Sequence, residues 1–120
     1  MTQEDKELLL KDLCVRLPYG VKMSVNDNVE VLQGINIVDN IVEYSSFLAS
    51  EIEDCKPYLF PLSSMTEEQE KEYNDLNCYE LGCFPHSEEA LDYLTKNHFD
   101  YRYLIEKGLA IDATGLNIYF

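Results

Sequence analysis

The chain has 120 residues, 46% hydrophobic and 27% charged, with 23 acidic against 9 basic residues and a net charge of -14. That length fits one domain over residues 1–120, burying roughly 65% of its unfolded surface in one modest core, and the composition excludes intrinsic disorder. The acidity disfavours direct binding to nucleic acid or to an anionic membrane, both of which run on neutralisation by Lys and Arg, and no apolar run approaches the roughly 18 residues of a membrane span.

Thr2 and Asp5 have capping-box spacing, and Leu9, Leu10, Leu13, Cys14 and Leu17 then recur with helical period, which predicts a first helix over Gln3 to Arg16. Lys6, Glu7, Lys11 and Asp12 fall on its polar face, and Pro18-Tyr19-Gly20 ends it. The period then changes to two. Val21, Met23 and Val25 alternate with polar residues, Asn26-Asp27-Asn28 turns, and Val29 and Val31 resume, the pattern of a hairpin. Gly34 is expected to break the second strand, with Ile35 and Ile37 opening another run and Ile41 to Tyr44 continuing after the Asp39-Asn40 turn. The whole predicts an antiparallel meander of three or four strands between Val21 and Phe47. Ser50 and Glu53 suit one short helical turn.

The segment Lys56 to Thr66 carries Pro57 and Pro61, neither of which suits a helix interior or a central strand, so it reads as an extended connector. Tyr58, Leu59, Phe60, Leu62 and Met65 make it too apolar for a solvated tether, so it is expected to lie on the protein and clasp the two halves together. Beyond it, Thr66 and Gln69 cap a second helix over Glu67 to Asn77, a surface helix with Tyr73 and Leu76 as its inward candidates. Asn77 to Pro85 reads as a loop, and Ser87 caps a third helix over Glu88 to Asn97 with Ala90, Leu91 and Leu94 as its stripe. Phe99 to Lys107, closed by Gly108, reads as a fourth helix. Leu109 to Ala113 alternates enough for a last strand, and Leu116 to Phe120 is a further strand or an apolar tail.

The resulting expectation is an α+β fold, a small antiparallel β-meander packed by the N-terminal helix and two or three later helices. Its core is expected from Leu10, Leu13, Leu17, Val21, Met23, Val31, Ile35, Ile37, Leu91, Leu94, Leu104 and Ile111.

Three constellations bear on function. Cys78, Cys83 and His86, with His98 further on, are the one group of soft metal ligands, but the spacing matches no strong zinc knuckle and the plainer reading is reduced thiols with no metal. With an acidic N-terminus and no signal segment, a cytoplasmic location follows. His98, Asp100, Tyr101 and Arg102 put a base, a carboxylate, a phenol and a guanidinium within five residues, an alternative pocket for a small enzyme or ligand-binding domain. Their position after a helix end also suits capping and dipole compensation, and no nucleophile elbow, P-loop or dinucleotide fingerprint accompanies them, so no cofactor is called for. Finally Glu67, Glu68, Glu70, Glu72 and Asp75 form an acidic series that reads as a solvated helix face or as a binding surface for a basic protein.

The blocks Leu8-Leu9-Leu10-Lys11-Asp12-Leu13-Cys14, Arg16-Leu17-Pro18-Tyr19-Gly20-Val21, Lys56-Pro57-Tyr58-Leu59, Ser63-Ser64-Met65-Thr66, Asn97-His98-Phe99-Asp100-Tyr101-Arg102 and Gly108-Leu109-Ala110 stand in this order. In them the chain resembles a family of short proteins of gut anaerobic bacteria and their phages and mobile elements. The resemblance implies a phage or mobile-element origin, an intracellular location and a small accessory role, and it carries no activity or site residue. The sequence reading is therefore a small acidic interaction or regulatory protein, non-enzymatic, with a protein partner.

Overall fold

A computed structural model of the protein describes residues 1–76 and 88–119. The fold is α+β, as the periodicities predict. Helix α1 (Gln3–Arg16) opens with the Thr2 hydroxyl accepting the Asp5 amide at 3.1 Å and passes into a 3-10 turn at Leu17–Tyr19 that Gly20 closes at a φ of 66°. Strands β1 (Lys22–Val25), β2 (Asn28–Asn36), β3 (Ile41–Tyr44) and β4 (Ala49–Glu51) follow as an antiparallel meander. Asn26 and Asp27 both take positive φ, the geometry that matches a two-residue turn to the twist of its strands.

Several local expectations need correction. Gly34 does not end β2: the strand runs through it, with a register shift between Leu32 and Gly34, and a Cβ there would lie 2.9 Å from the Glu43 carboxylate of β3. The glycine marks a bulge under a neighbouring side chain, which is the other reason for glycine in a strand. The short helical turn expected before the connector forms as a 3-10 turn at Ile52–Asp54, but Ser50 does not cap it, since Ala49–Glu51 pairs with β3.

The third correction concerns the connector. Cys55–Pro61 is a strand, β5, that pairs antiparallel with β1 and parallel with β6 (Phe99–Asp100) and β7 (Ile111–Asp112). Both prolines are accommodated by register. The β1 amide of Lys22 and the β5 carbonyl of Tyr58 face one another, bridged by the Tyr119 hydroxyl, so alternation along the ladder makes Met23 opposite Pro57 a pair without hydrogen bonds. The donor that Pro57 lacks is one the β1 ladder never uses. Pro61 is the last residue of its strand. The clasp is therefore built as a sheet strand, joined by backbone pairing to elements before and after it, with Leu59 fully buried and Tyr58, Phe60 and Leu62 half-buried.

Helix α2 (Glu67–Leu76) carries the expected reciprocal capping box, Thr66 and Gln69 each bonding the other's amide at 3.0–3.1 Å. Helix α3 (Glu88–Lys96) buries Ala90 and Leu94. The fourth helix does not form. Phe99–Asp100 is a strand instead, and the Asp100 carboxylate takes the amides of Arg102, Leu104 and Ile105 at 3.3, 3.0 and 3.0 Å. A side chain that captures three amides of the following turn offers the backbone an alternative to helical bonding. Of the strand predicted over Leu109 to Ala113, only Ile111–Asp112 pairs, and the chain after it is a tail without strand structure up to Tyr119.

The core gathers Leu9, Leu10 and Leu13 of α1, Val21, Met23 and Val25 of the first hairpin, and Leu32, Val42, Tyr44, Ile52, Cys55, Leu59 and Leu104. Of the residues expected there, Ile37 is exposed, Val31, Leu91 and Ile111 are only half-buried, and Leu17 and Ile35 are half-buried and packed against the core. The inward stripe of α1 is Leu9, Asp12, Leu13 and Arg16, which keeps helical spacing but holds a charged pair. Asp12 thus belongs to the buried face and not to the polar one.

Removing one member of a buried ion pair leaves an uncompensated charge, so Asp12→Ala should destabilise the protein by about 3–5 kcal/mol. Urea denaturation followed by circular dichroism checks this, and a loss below about 1 kcal/mol, the level of an exposed pair, would show that the pair is solvated in solution.

Candidate functional site

Two regions collect the residues that the sequence singles out. The first is a buried charge cluster. Arg16 has no exposed surface: its Nε donates to Asp12 Oδ2 at 2.7 Å and its Nη2 to the Phe99 carbonyl at 2.7 Å. Arg102 Nε donates to the other Asp12 oxygen at 3.2 Å. The Tyr101 ring lies beside both guanidiniums, 5.2 Å from Arg16 and 5.1 Å from Arg102, and its hydroxyl meets Thr95 at 3.1 Å. Arg-aromatic stacking and forked hydrogen bonding are what make Arg, and not Lys, suited to such burial. Tyr101 and Arg102 are thereby spent on holding α1 against the segment after β6, while Asp100 is spent on the amides of the turn that follows it.

The second region is a cavity of about 600 Å³, which only His98 of the four sequence-predicted pocket residues lines. Its walls come from β1 (Lys22), β5 (Phe60), the turn after β5 (Ser64), α2 (Gln69), the end of α3 (Lys96, Asn97), β6 (Phe99), the Thr114-Gly115 turn and Tyr119 of the tail. His98 follows α3 at a φ of 64°, a left-handed position that more often holds Gly or Asn, and its amide closes the helix on the Thr95 carbonyl. The imidazole stacks on Tyr119, with centroids 3.8 Å apart and planes 13° from parallel. Burial, then the positive charges of Arg16 and Lys22, push the His98 pKa down to about 4, and its Nδ1 is buried with no hydrogen-bond partner among the described residues.

Tyr119 fixes the other wall. Its hydroxyl accepts the Lys22 amide at 2.6 Å and donates to the Tyr58 carbonyl at 2.9 Å, and burial raises its pKa. Lys22 Nζ donates to the Ile118 carbonyl at 2.8 Å, so the ammonium and the tail hold each other. Sequence reasoning passed over Lys22, Tyr119, Asp12 and Arg16. Only Arg16, at helical spacing from Leu9 and Leu13, left a readable signal.

The acidic series lies elsewhere. Glu67, Glu68, Glu70, Glu72 and Asp75 are all exposed on α2, while Gln69 and Tyr73 are half-buried. Glu88, Glu89 and Asp92 of the adjoining α3 are exposed too, and the Tyr93 hydroxyl ties the helices by donating to Glu72 at 2.9 Å. Burial and the Glu72 carboxylate together push the Tyr93 pKa up to about 12.

Comparison of the chain with protein-family models, curated proteins and solved structures returns no match. The chemistry of the site must therefore be argued from its own residues. Among the described residues no three His, Cys, Asp or Glu side chains converge to hold a metal ion, and no helix is long and apolar enough to cross a membrane. Cys78, Cys83 and His86 lie outside the described residues; Cys14 is exposed and Cys55 buried. The turns at the two ends of β3 expose apolar side chains, with Val38 at 91% and Phe47 at 96% relative accessibility, and Phe47 holds a φ of 70°.

His98 in the unfolded chain takes up a proton near its usual 6.5, whereas the folded imidazole resists until about 4. The unfolded state therefore binds more protons across that window, and His98 makes the fold less stable as pH falls from about 6.5 towards about 4. Thermal melts between these limits should show a shallower loss in His98→Asn, where Asn retains the left-handed backbone, than in the parent protein. Imidazole resonances of His98 titrating near 6.5 would contradict the buried geometry.

Proposed function

We propose that the protein is a small non-enzymatic interaction protein of the cytoplasm, an accessory of a phage or mobile element, whose acidic α2 face docks a basic partner protein. The observation that carries this reading is the division of labour on α2. Gln69 and Tyr73 turn inward, leaving Glu67, Glu68, Glu70, Glu72 and Asp75 exposed together. None of these five carboxylates is spent on burial in the fold. A face of five carboxylates against one ammonium, Lys71, on a chain of net charge -14 raises the encounter rate with a basic surface and rejects acidic ones. The non-catalytic part of the reading rests on Asp12, Arg16, Asp100 and Arg102. Acid-base or anion-clamping chemistry would draw on such groups, and here they bond one another and the backbone. The origin is what the resemblance carried by the sequence blocks implies.

A second reading has its own observation. Phe47 is 96% exposed in a strained left-handed conformation, with Leu48 also exposed next to it. A bulky side chain held outward at such a cost suits an aromatic anchor for a protein partner.

The two surfaces separate by salt. Affinity purification from the native host at about 50 and about 500 mM salt should recover a basic protein at the lower concentration and lose it at the higher, where the Debye length has shrunk to a few ångströms. The charge-reversed Glu68→Lys/Asp75→Lys protein should lose the partner at both concentrations while remaining folded. A partner retained at high salt, unaffected by charge reversal and lost in Phe47→Ser, would replace the acidic face by the Phe47 tip.

A further inference from the structure

The outer face of the meander carries a carboxylate that the fold does not use. Val42 and Tyr44 of β3 point into the core, so Glu43 between them points out. Glu43 makes no hydrogen bond or ion pair among the described residues, and its carboxylate lies across the bare backbone of Gly34, where a β-carbon would stand 2.9 Å from it. The glycine leaves that carboxylate its place beside a groove of about 360 Å³, which Gln33, Glu43, Phe47, Leu48 and Ala49 help to line and to which no described basic residue contributes. Phe47, exposed at a φ of 70°, is fixed there by its turn: its amide donates to the Tyr44 carbonyl at 3.0 Å, and the Tyr44 amide donates to the Leu48 carbonyl at 2.9 Å. A bulky residue in the left-handed region is strained, so the ring is held outward at a cost to the fold. The groove also lies beside an open edge of the sheet. Strand β4 ends the order of the described strands, and since Leu48 and Ile52 bond to Tyr44 and Asn40, the alternate residues Ala49 and Glu51 turn their backbone groups outward.

We propose that a protein partner lays an extended segment along β4 and places an arginine in this groove, its guanidinium on the Glu43 carboxylate and flat against the Phe47 ring. The proposal rests on the reading of the chain as an interaction protein and gives its Phe47 surface a partner of stated chemistry. Edge strands take up extended segments by backbone pairing, and pockets for alternate side chains supply the specificity. A partner residue opposite Ala49 projects on the face that Ala49 and Glu43 share as a cross-strand pair, and the short Ala49 side chain leaves the way to the carboxylate open. Charge selects a cation: the carboxylate sits on a chain of net charge -14, and the exposed Glu51 on the same face of β4 adds to the negative field. The ring selects arginine over lysine, because a planar guanidinium stacks on an aromatic face and forks its hydrogen bonds to a carboxylate, whereas an ammonium is a compact, strongly hydrated charge. The Gln33 amide oxygen is a further acceptor at the same groove.

The test is a titration of the full, isotopically labelled chain with the capped pentapeptide acetyl-Thr-Thr-Arg-Thr-Thr-amide, followed by amide chemical shifts. Saturable shifts are expected at Gln33, Glu43, Phe47 and Ala49, with the corresponding lysine peptide binding more weakly and the peptide carrying neutral citrulline more weakly still. Glu43→Gln removes a charge that the fold does not bond, so it should keep the parent spectrum elsewhere and weaken the arginine peptide about fivefold, the loss of one part-solvated charge pair. Phe47→Asn keeps the left-handed backbone without the ring and should weaken the peptide about threefold. Four results would overturn the proposal: shifts that never saturate, shifts confined to the acidic face of α2, the citrulline peptide binding as tightly as the arginine one, or unchanged affinity in Glu43→Gln. Lysine binding as tightly as arginine, or unchanged affinity in Phe47→Asn, would overturn the stacking part. A titration that fails sinks the groove and leaves the interaction reading standing, whereas a purification that recovers no partner protein counts against that reading even where the peptide binds.

Discussion

A guanidinium with no exposed surface has to be matched where it lies, because taking a charge out of water costs several kcal/mol even after the protein relaxes. Arg16 is met by three different parts of the chain, the Asp12 carboxylate one turn back, the Phe99 carbonyl of β6 and the Tyr101 ring, and only its Nη1 is left without a hydrogen-bond partner among the described residues. Asp12 is in turn shared with Arg102, so the cluster joins α1 to the segment from Phe99 to Arg102 through bonds that no apolar contact would aim. That segment is short of regular structure, with two strand residues followed by turns, and its path is set by this cluster and by the amides that Asp100 captures. His98 immediately precedes it, so the cavity wall inherits its position from a buried ion pair on the first helix.

The second constraint is the junction at β5. Its partner changes along its length, from β1 at Cys55 to Pro57 to β7 at Tyr58 and Leu59 and β6 at Phe60 and Pro61. At such a changeover the ladder runs out of backbone partners on the β1 side, and the Tyr119 hydroxyl fills the gap by accepting from Lys22 and donating to Tyr58. A phenol can do this because one oxygen both donates and accepts. The tail is thus part of the sheet's hydrogen bonding without being a strand, and its ring becomes a wall of the cavity.

What was legible in the sequence follows from the range over which each signal acts. Helix α1, the hairpin turn at Asn26-Asp27 and the Thr66–Gln69 capping box rest on residues three or four apart, and all formed as read. The prolines of β5 misled because proline forbids a donor, and whether that donor is missed depends on which way the ladder faces at Met23, a fact of register and not of local sequence. The fourth helix failed for a comparable reason: Phe99 to Lys107 has acceptable helical residues, but Asp100 bonds the amides of the following turn and Phe99 pairs with Phe60. Asp12 and Arg16 were hidden by a rule that is right on average, that charged residues leave the buried stripe, which a mutually bonded pair escapes. Of the alternative pocket only His98 lines a cavity, because adjacent residues in a strand and turn point different ways and His98, Asp100, Tyr101 and Arg102 cannot all face one space.

The same bonds also sort the charges of the molecule. Arg16 and Arg102 sit at the buried cluster and Lys22 and Lys96 at the cavity, so four of the nine basic residues gather where α3, β6 and the tail meet. Fewer remain to offset the carboxylates elsewhere, and α2 keeps a single lysine, Lys71, among its acidic residues. The positive charge gathered at this junction and the acidic surface of α2 beside it are therefore one fact seen twice. A chain with few basic residues that commits two of them to an internal ion cluster leaves its outer helices with little choice of sign.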